Sequence, residues 1–341
     1  MTGETMKPAF SDALLRDAVA EALAEAAPNA TLTTGGALQP MTDRHWRLAA
    51  EMGWTAAFVT EADGGLGLGL PQIADICEQM GRHLFCGPFV ETAVLLPALA
   101  AEAPDIFGPL LAGVVAGEIR VALAEQESDT LLAPVEHAAG ATHILSFVDK
   151  AEGGLEVHLR ASSEAEIGIL ESMDPTITVG RARVAKPSAI CVLDGEAAQR
   201  ALTPVHLATA AELLGLGEAS LERAVAHVGT RRQFGQPIGA FQAVKHRLAD
   251  AYTALAGVRL SIAHAADKGT FNAALIARVL AADAALKAAG DAIQFHGGLG
   301  FSWEMDLHLY LKRARRLNAR NGGTGRLRMA AGERFIDAVL A

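Results

Sequence analysis

The pattern of apolar and polar positions along the chain changes period twice. In "FSDALLRDAVAEALAEAA" the residues Leu14, Leu15, Val19 and Leu23 fall on one face of a 3.6-residue repeat, which predicts a first helix with Ser11 as its N-cap. The Thr- and Gly-rich "TLTTGGALQP" ends it. Further helices are predicted from about Asp43 to Met52 and from about Pro71 to Leu84, with Pro71 suited to a first helical position because that N–H has no partner in a helix anyway. The loop between them is "TEADGGLGLGL". From about Ile119 to Asp194 the repeat gives way to short β-branched and apolar runs, "RVALAE", "HILSFVD", "LEVHLR", "TITVGRARV" and "AICVLDG", separated by Gly, Asp, Glu and Pro, as strands are. Beyond Ala197 the helical repeat returns. Leu207, Ala211, Leu214, Leu221, Val225 and Val228 mark one helix, Phe241, Val244, Leu248, Leu255, Val258 and Ile262 the next, and Leu275, Val279, Leu286 and Ile293 a third. The expected fold class is α+β, mainly α: an N-terminal helical domain (1–118), a small middle β domain (119–196) and a C-terminal four-helix bundle (197–341).

Composition narrows the function more than the fold. Of 341 residues 51% are hydrophobic, with only two tyrosines and three tryptophans, which favours packed helices. The net charge of −10, with "KRARR" (Lys312 to Arg316) as the one basic cluster, argues against nucleic acid as the main partner. Cys77, Cys86 and Cys191 show no CxxC spacing, so neither a disulfide framework nor a metal site is expected, and small buried hydrophobes in a reducing compartment are. The N-terminus has charges where a signal peptide needs an apolar stretch, and no apolar run reaches spanning length. A cytoplasmic chain without a membrane partner is the expectation.

The stretch "ARNGGTGRL", Ala319 to Leu327, packs three glycines into four positions. A P-loop would place Lys and then Ser or Thr after its last glycine, and Arg326 and Leu327 stand there instead. Two other stretches carry more information: "RRQFGQPIGAFQAVKHRLAD" (Arg231 to Asp250) and "IQFHGGLGFSWEMDLHLYLKRAR" (Ile293 to Arg315). With the helix, β, helix plan they resemble the acyl-CoA dehydrogenase family, and "ADGGLGLGLPQIADICEQMGRHL" resembles that family's N-terminal helical domain.

The resemblance implies a flavoprotein that shares each FAD between two subunits, one holding the flavin ring and the neighbour the ADP part. It implies that Arg231 pairs with the pyrophosphate, that Phe234 packs beside the cofactor, and that Gln242, Gln294, Gly297 and Gly298 line the ADP portion. Read singly, Arg231 and Arg232 also suit a helix C-terminus and "HGG" a helix stop; jointly, their spacing favours the cofactor. The flavin-ring half departs from the family. Its Thr-Glu-Pro segment is here Ala124, Glu125 and Gln126, and its tryptophan-bearing strand has no counterpart in "HILSFVD".

The family's catalytic glutamate stands in a Glu-Gly-Thr loop. Counting without a gap from Gln294 puts Asn321 at that position, and aligning on Gly-Thr puts Gly322 there; neither takes a proton. A second place for the base, used by a minority of members, corresponds to about Val205, followed by His206. General-base catalysis needs a titratable group within reach of the proton, so no catalytic residue is assigned. The resemblance is greatest to the short, non-catalytic subunit of a heteromeric α2β2 acyl-CoA dehydrogenase. Its partner would be a full-length homologue as catalytic subunit, its substrate an acyl-CoA, by family analogy one with a steroid side chain, and its acceptor an electron-transfer flavoprotein or similar protein. The alternatives are a homo-oligomeric flavoprotein with a displaced base (His206, or a member of the Glu304, Asp306, His308 cluster) and a flavin-free scaffold.

Overall fold

Helices fill both ends of the chain and a sheet its middle. The computed structural model describes residues 13–26, 42–150, 153–185 and 190–340. The N-terminal part comprises α1 (Ala13–Ala26), α2 (Thr42–Glu51), α3 (Leu70–Arg82), a wide turn of π-helix (Val90–Leu95) that runs into α4 (Leu96–Glu102), and the short α5 (Pro104–Phe107) and α6 (Leu111–Val115). Pro71 sits in the first turn of α3, as its missing N–H requires. Ser11 and "TLTTGGALQP" lie outside the described residues. The buried face of α1 is narrower than its repeat predicts: Val19 and Leu23 are buried and Leu14 is exposed.

Seven strands follow: β1 (Val121–Ser128), β2 (Leu131–Glu136), β3 (His143–Asp149), β4 (Leu155–Ala161), β5 (Ala165–Leu170), β6 (Val179–Val184) and β7 (Cys191–Leu193). They form one sheet in the order β5-β6-β2-β1-β3-β4-β7, in which β1 and β3 run parallel and all other neighbours antiparallel. Two strands escape the sequence pattern. β2 contains Pro134, which cannot donate to a ladder, and β5 is an edge strand with little burial to enforce alternation. One face of the sheet packs Val121, Leu145, Val157 and Leu193 against Leu96, Leu99, Phe107 and Ala201 from the helices; the other closes a smaller core of Ala122, Ala124, Leu132, Ile144 and Ala182.

The C-terminal part is built on α7 (Gly195–Thr230), followed by a hairpin of β8 (Arg232–Gln233) and β9 (Gln236–Pro237), then α8 (Gln242–Lys268), α9 (Phe271–His296), α10 (Leu307–Ala319) and α11 (Gly323–Leu340). Asp194 caps α7, its Oδ1 accepting the Ala197 N–H at 2.8 Å. Among the described residues α11 follows α10 as a further helix, opening at Gly323 within the glycine stretch. Helix α7 crosses α3 at backbone contact: a Cβ on Gly81 would stand 2.1 Å from the Glu212 carbonyl oxygen, and one on Gly215 2.0 Å from that of Glu78. Beside the crossing, Arg259 of α8 bridges Glu78 (2.7 Å) and Glu218 (2.9 Å), and Arg82 reaches Glu218 as well. Three helices are thereby tied by charge where their close approach leaves no space for large apolar side chains.

Candidate functional site

The family-like residues gather at one end of the C-terminal helices. Arg231 ends α7, its N–H bonded to the His227 carbonyl at 2.9 Å, and its own carbonyl accepts the Ile238 N–H at 2.8 Å, which closes the β8–β9 hairpin. Phe234, at the hairpin tip, has a φ of +53° and is 91% exposed, with its ring edge-on to Phe241 at 6.1 Å. A large aromatic in water on a backbone conformation that disfavours it is costly in the lone chain. Gln242 begins α8, Gln294 lies in the last turn of α9, and Gly297 takes a φ of +60° that ends this helix. The rings of His227 and His296 stack at 4.0 Å and bring the ends of α7 and α9 together; Arg247 of α8 lies over Phe295 of α9 at 5.1 Å.

Arg231, Phe234, Gln242, Gln294, Gly297 and Gly298 are all exposed. Arg231 has no carboxylate partner among the described residues, and a Cβ on Gly297 or Gly298 would meet nothing within 4 Å. The donor set is one permanent cation, two amides and an open glycine turn. Such a set suits a pyrophosphate and its ribose, so the ADP half of an FAD fits these residues.

At the far end of α10 the arrangement is reversed. Arg313 and Arg316 share a face of α10 at three-residue spacing, and Arg320, just past its end, continues the series; all three turn inward. Arg313 donates to Asp174 (3.1 Å), Thr176 (2.9 Å), the Phe85 carbonyl (3.0 Å) and Glu212 (2.9 Å). Arg316 joins Asp174 (2.9 Å) to Glu136 (2.8 Å), and Arg320 binds Glu136 (2.6 Å) and pairs with Glu91 (2.6 Å). Burial opposes ionisation of Glu136, yet Arg320 and Arg316 outweigh it and lower its pKa from 4.5 to about 2. The pKa of His137 next to it is lowered too, to about 3, by burial and then by the same two arginines, which keeps it neutral. The network joins α3's C-terminal segment, the π turn, β2, the 174–176 loop, α7 and α10. It leaves a cavity of 20 Å³, room for about one water.

The turn Arg320–Gly322, which contains both positions that the resemblance assigns to the family's glutamate, follows directly from this ladder. A flavin ring or an acyl thioester needs a pocket of roughly 300 Å³ or more. The donor and acceptor groups of the ladder are instead consumed by one another, so the space beside Arg320 offers a flavin ring or a thioester no room. The sequence reading missed the ladder because "KRARR" looks like a solvated basic run; the spacing continued to Arg320 was the available signal.

The alternative bases are not placed for proton transfer. Val205 is half-buried within α7. His206 is 3% exposed and packed edge-on against Phe271 at 5.2 Å, and burial, then Arg278, lowers its pKa to about 3. It is a neutral core histidine. Asp306 pairs with Arg223 at 3.3 Å, His308 is buried with Nδ1 donating to the Met305 carbonyl and its ring against Trp303, and Glu304 is exposed. Glu125 is exposed where the β1–β2 register shifts.

Residues 194–336 match the family described as acyl-CoA dehydrogenase, C-terminal domain. The chain is 33% identical over 312 residues to acyl-CoA dehydrogenase IpdE2 of Mycobacterium tuberculosis, spanning 91% of this chain and 92% of the relative. Its fold is shared by the steroid acyl-CoA dehydrogenase Tcur3481-Tcur3483 (TM-score 0.82, 24% identity, 96% of this chain and 98% of that one). It is shared equally by the ChsE4-ChsE5 complex from Mycobacterium tuberculosis (TM-score 0.81, 22% identity, 96% and 98%). Among the described residues no helix is long and apolar enough to cross a membrane.

Proposed function

The chain belongs to the acyl-CoA dehydrogenase family, and from that premise we propose that it is the FAD-sharing, non-catalytic subunit of a heteromeric acyl-CoA dehydrogenase. A full-length homologue supplies the base and the flavin-ring pocket. This chain supplies Arg231, Phe234, Gln242, Gln294, Gly297 and Gly298 to the ADP half of the partner's cofactor. When bound, FAD accepts the hydride in the α,β-desaturation of an acyl-CoA; this chain's task is to bind and orient, with Arg231 countering the pyrophosphate charge and the glycine turn presenting backbone N–H groups. Steroid-derived CoA thioesters are the substrate class, and an electron-transfer flavoprotein or similar protein the acceptor. Support for the class comes from the two-chain steroid enzyme of like fold.

The observation that carries this reading is the contrast in pairing: the ladder beside the missing glutamate is closed on itself, and the cofactor-facing corner is exposed and unpaired. A visible absorption spectrum tests it. The chain alone is expected to be colourless, and the chain co-expressed with a full-length homologue encoded beside it to be yellow, with about one flavin per heterodimer, since each flavin site needs one ring-binding and one ADP-binding subunit. Arg231→Ala then lowers the flavin content of the complex without dissociating it. A yellow, active lone chain overturns the proposal. A complex whose flavin content is indifferent to Arg231 points to a scaffold.

A further inference from the structure

The rings of His227 and His296 meet between the ends of α7 and α9, beside the apolar contact of Ala224 with Ala292 and Ile293; the termini of these two helices carry Arg231 and the Gly297–Gly298 turn. The two rings are nearly parallel, 26° apart, with centroids at 4.0 Å. His296 Nδ1 donates to the Ala292 carbonyl at 2.8 Å, since a carbonyl can only accept, and this leaves Nε2 as the nitrogen that takes a second proton. Two neutral imidazoles stack with mutual attraction; two imidazolium rings at this separation repel.

The surroundings offer a protonated pair no relief. The charges that bear on His227 are those of His296 on α9 and Arg231 on α7, and both disfavour its protonation; with burial as the leading cause they hold its pKa below the usual 6.5. The carboxylates at this end are engaged elsewhere. Asp306, on the segment entering α10, pairs with Arg223, and Asp291 of α9 is held by Arg247 of α8 and by Lys287. Glu304 is exposed to solvent.

We propose that the stacked His227–His296 pair is a proton-sensitive latch that holds the ends of α7 and α9 together when neutral and parts them in mildly acidic solution, separating Arg231 from the glycine turn. Only the latch's consequence for flavin rests on the cofactor reading of this corner. The latch itself belongs to the isolated chain.

The test is an NMR titration of the histidine ring signals of the isolated chain from pH 8 to pH 5, with His227→Phe and His296→Phe to assign them and to keep an aromatic ring in place. The expected result is that His227 titrates below 6.5 and that its midpoint rises in His296→Phe. Amide signals of Arg231 and Gly297 should shift with the same midpoint in the native chain and lose that response in both variants. A His227 midpoint at or above 6.5, or one that ignores the state of residue 296, overturns the latch. Flavin release from the assembled complex between pH 7.5 and 5.5 is the second readout, expected to be faster in the native complex than in one carrying His227→Phe. Coupled titration with identical flavin release overturns the cofactor reading of the corner while leaving the latch intact.

Discussion

Arg231 stands exposed at the end of α7 with no carboxylate beside it among the described residues, whereas Arg320, at the end of α10, is buried between Glu91 and Glu136. The same guanidinium has opposite duties at the two places. An exposed arginine near open backbone, with Phe234 in water at its side, is a group whose partner lies outside the chain. A largely buried one held by Glu91 and Glu136 of its own chain has its partners already. On the proposed function, the difference is how a family site would be divided between subunits: the face offered to a neighbour keeps its unpaired polar groups, and the interior beside the lost glutamate is filled by ion pairs.

The largest way to break this comparison is at the ladder. Glu136→Ala strands Arg316 and Arg320 with less compensating charge in the interior, and removing one partner of a buried pair costs about 3–5 kcal/mol; denaturant unfolding of the isolated chain measures it. A loss below about 1 kcal/mol would show that the ladder is solvated and the interior open.

Acid should act on the same region. Glu136, with its pKa lowered to about 2, stabilises the fold fully above its ordinary 4.5 and loses that contribution as the pH falls toward 2. His137 and His206, both lowered to about 3, are stable as neutral groups above 6.5 and weaken the fold progressively below it. All three have the same sign, so the thermal midpoint is expected to fall continuously from pH 6.5 downward. A midpoint that stays flat between pH 6.5 and 4 would contradict the buried neutral histidines.

Asn321→Glu restores the family's carboxylate in sequence without opening the ladder, so the chain alone should gain no acyl-CoA oxidation, followed by reduction of an artificial electron acceptor. Measurable turnover would mean that a pocket exists beside Arg320. The smallest effect is expected at the exposed corner: Arg231→Ala should change the stability of the isolated chain by less than about 0.5 kcal/mol, as surface substitutions do, while flavin content of the complex drops. A large stability loss would place Arg231 among the structural ion pairs with Arg320.

Much of this was legible before any tertiary structure. The change of period from helix to strand and back, the start of α3 at Pro71, and the motifs around Arg231 and Gly297 are local facts: backbone sterics, apolar periodicity and short spacings act within a few residues, and the sequence by itself determined them. It also determined that neither Asn321 nor Gly322 can carry a proton.

What only the tertiary structure decided depends on contacts between distant segments. Whether "KRARR" faces water or the core is undetermined until Asp174, Glu136 and Glu212 arrive from a loop, a strand's end and a helix. That His206 is sealed by Phe271, and that His227 meets His296, follows from how α7 lies along α9. Burial and pairing set the energy of a charge, and both are properties of the packed chain; a residue's place in the sequence fixes its chemistry but not the company that turns that chemistry on or off.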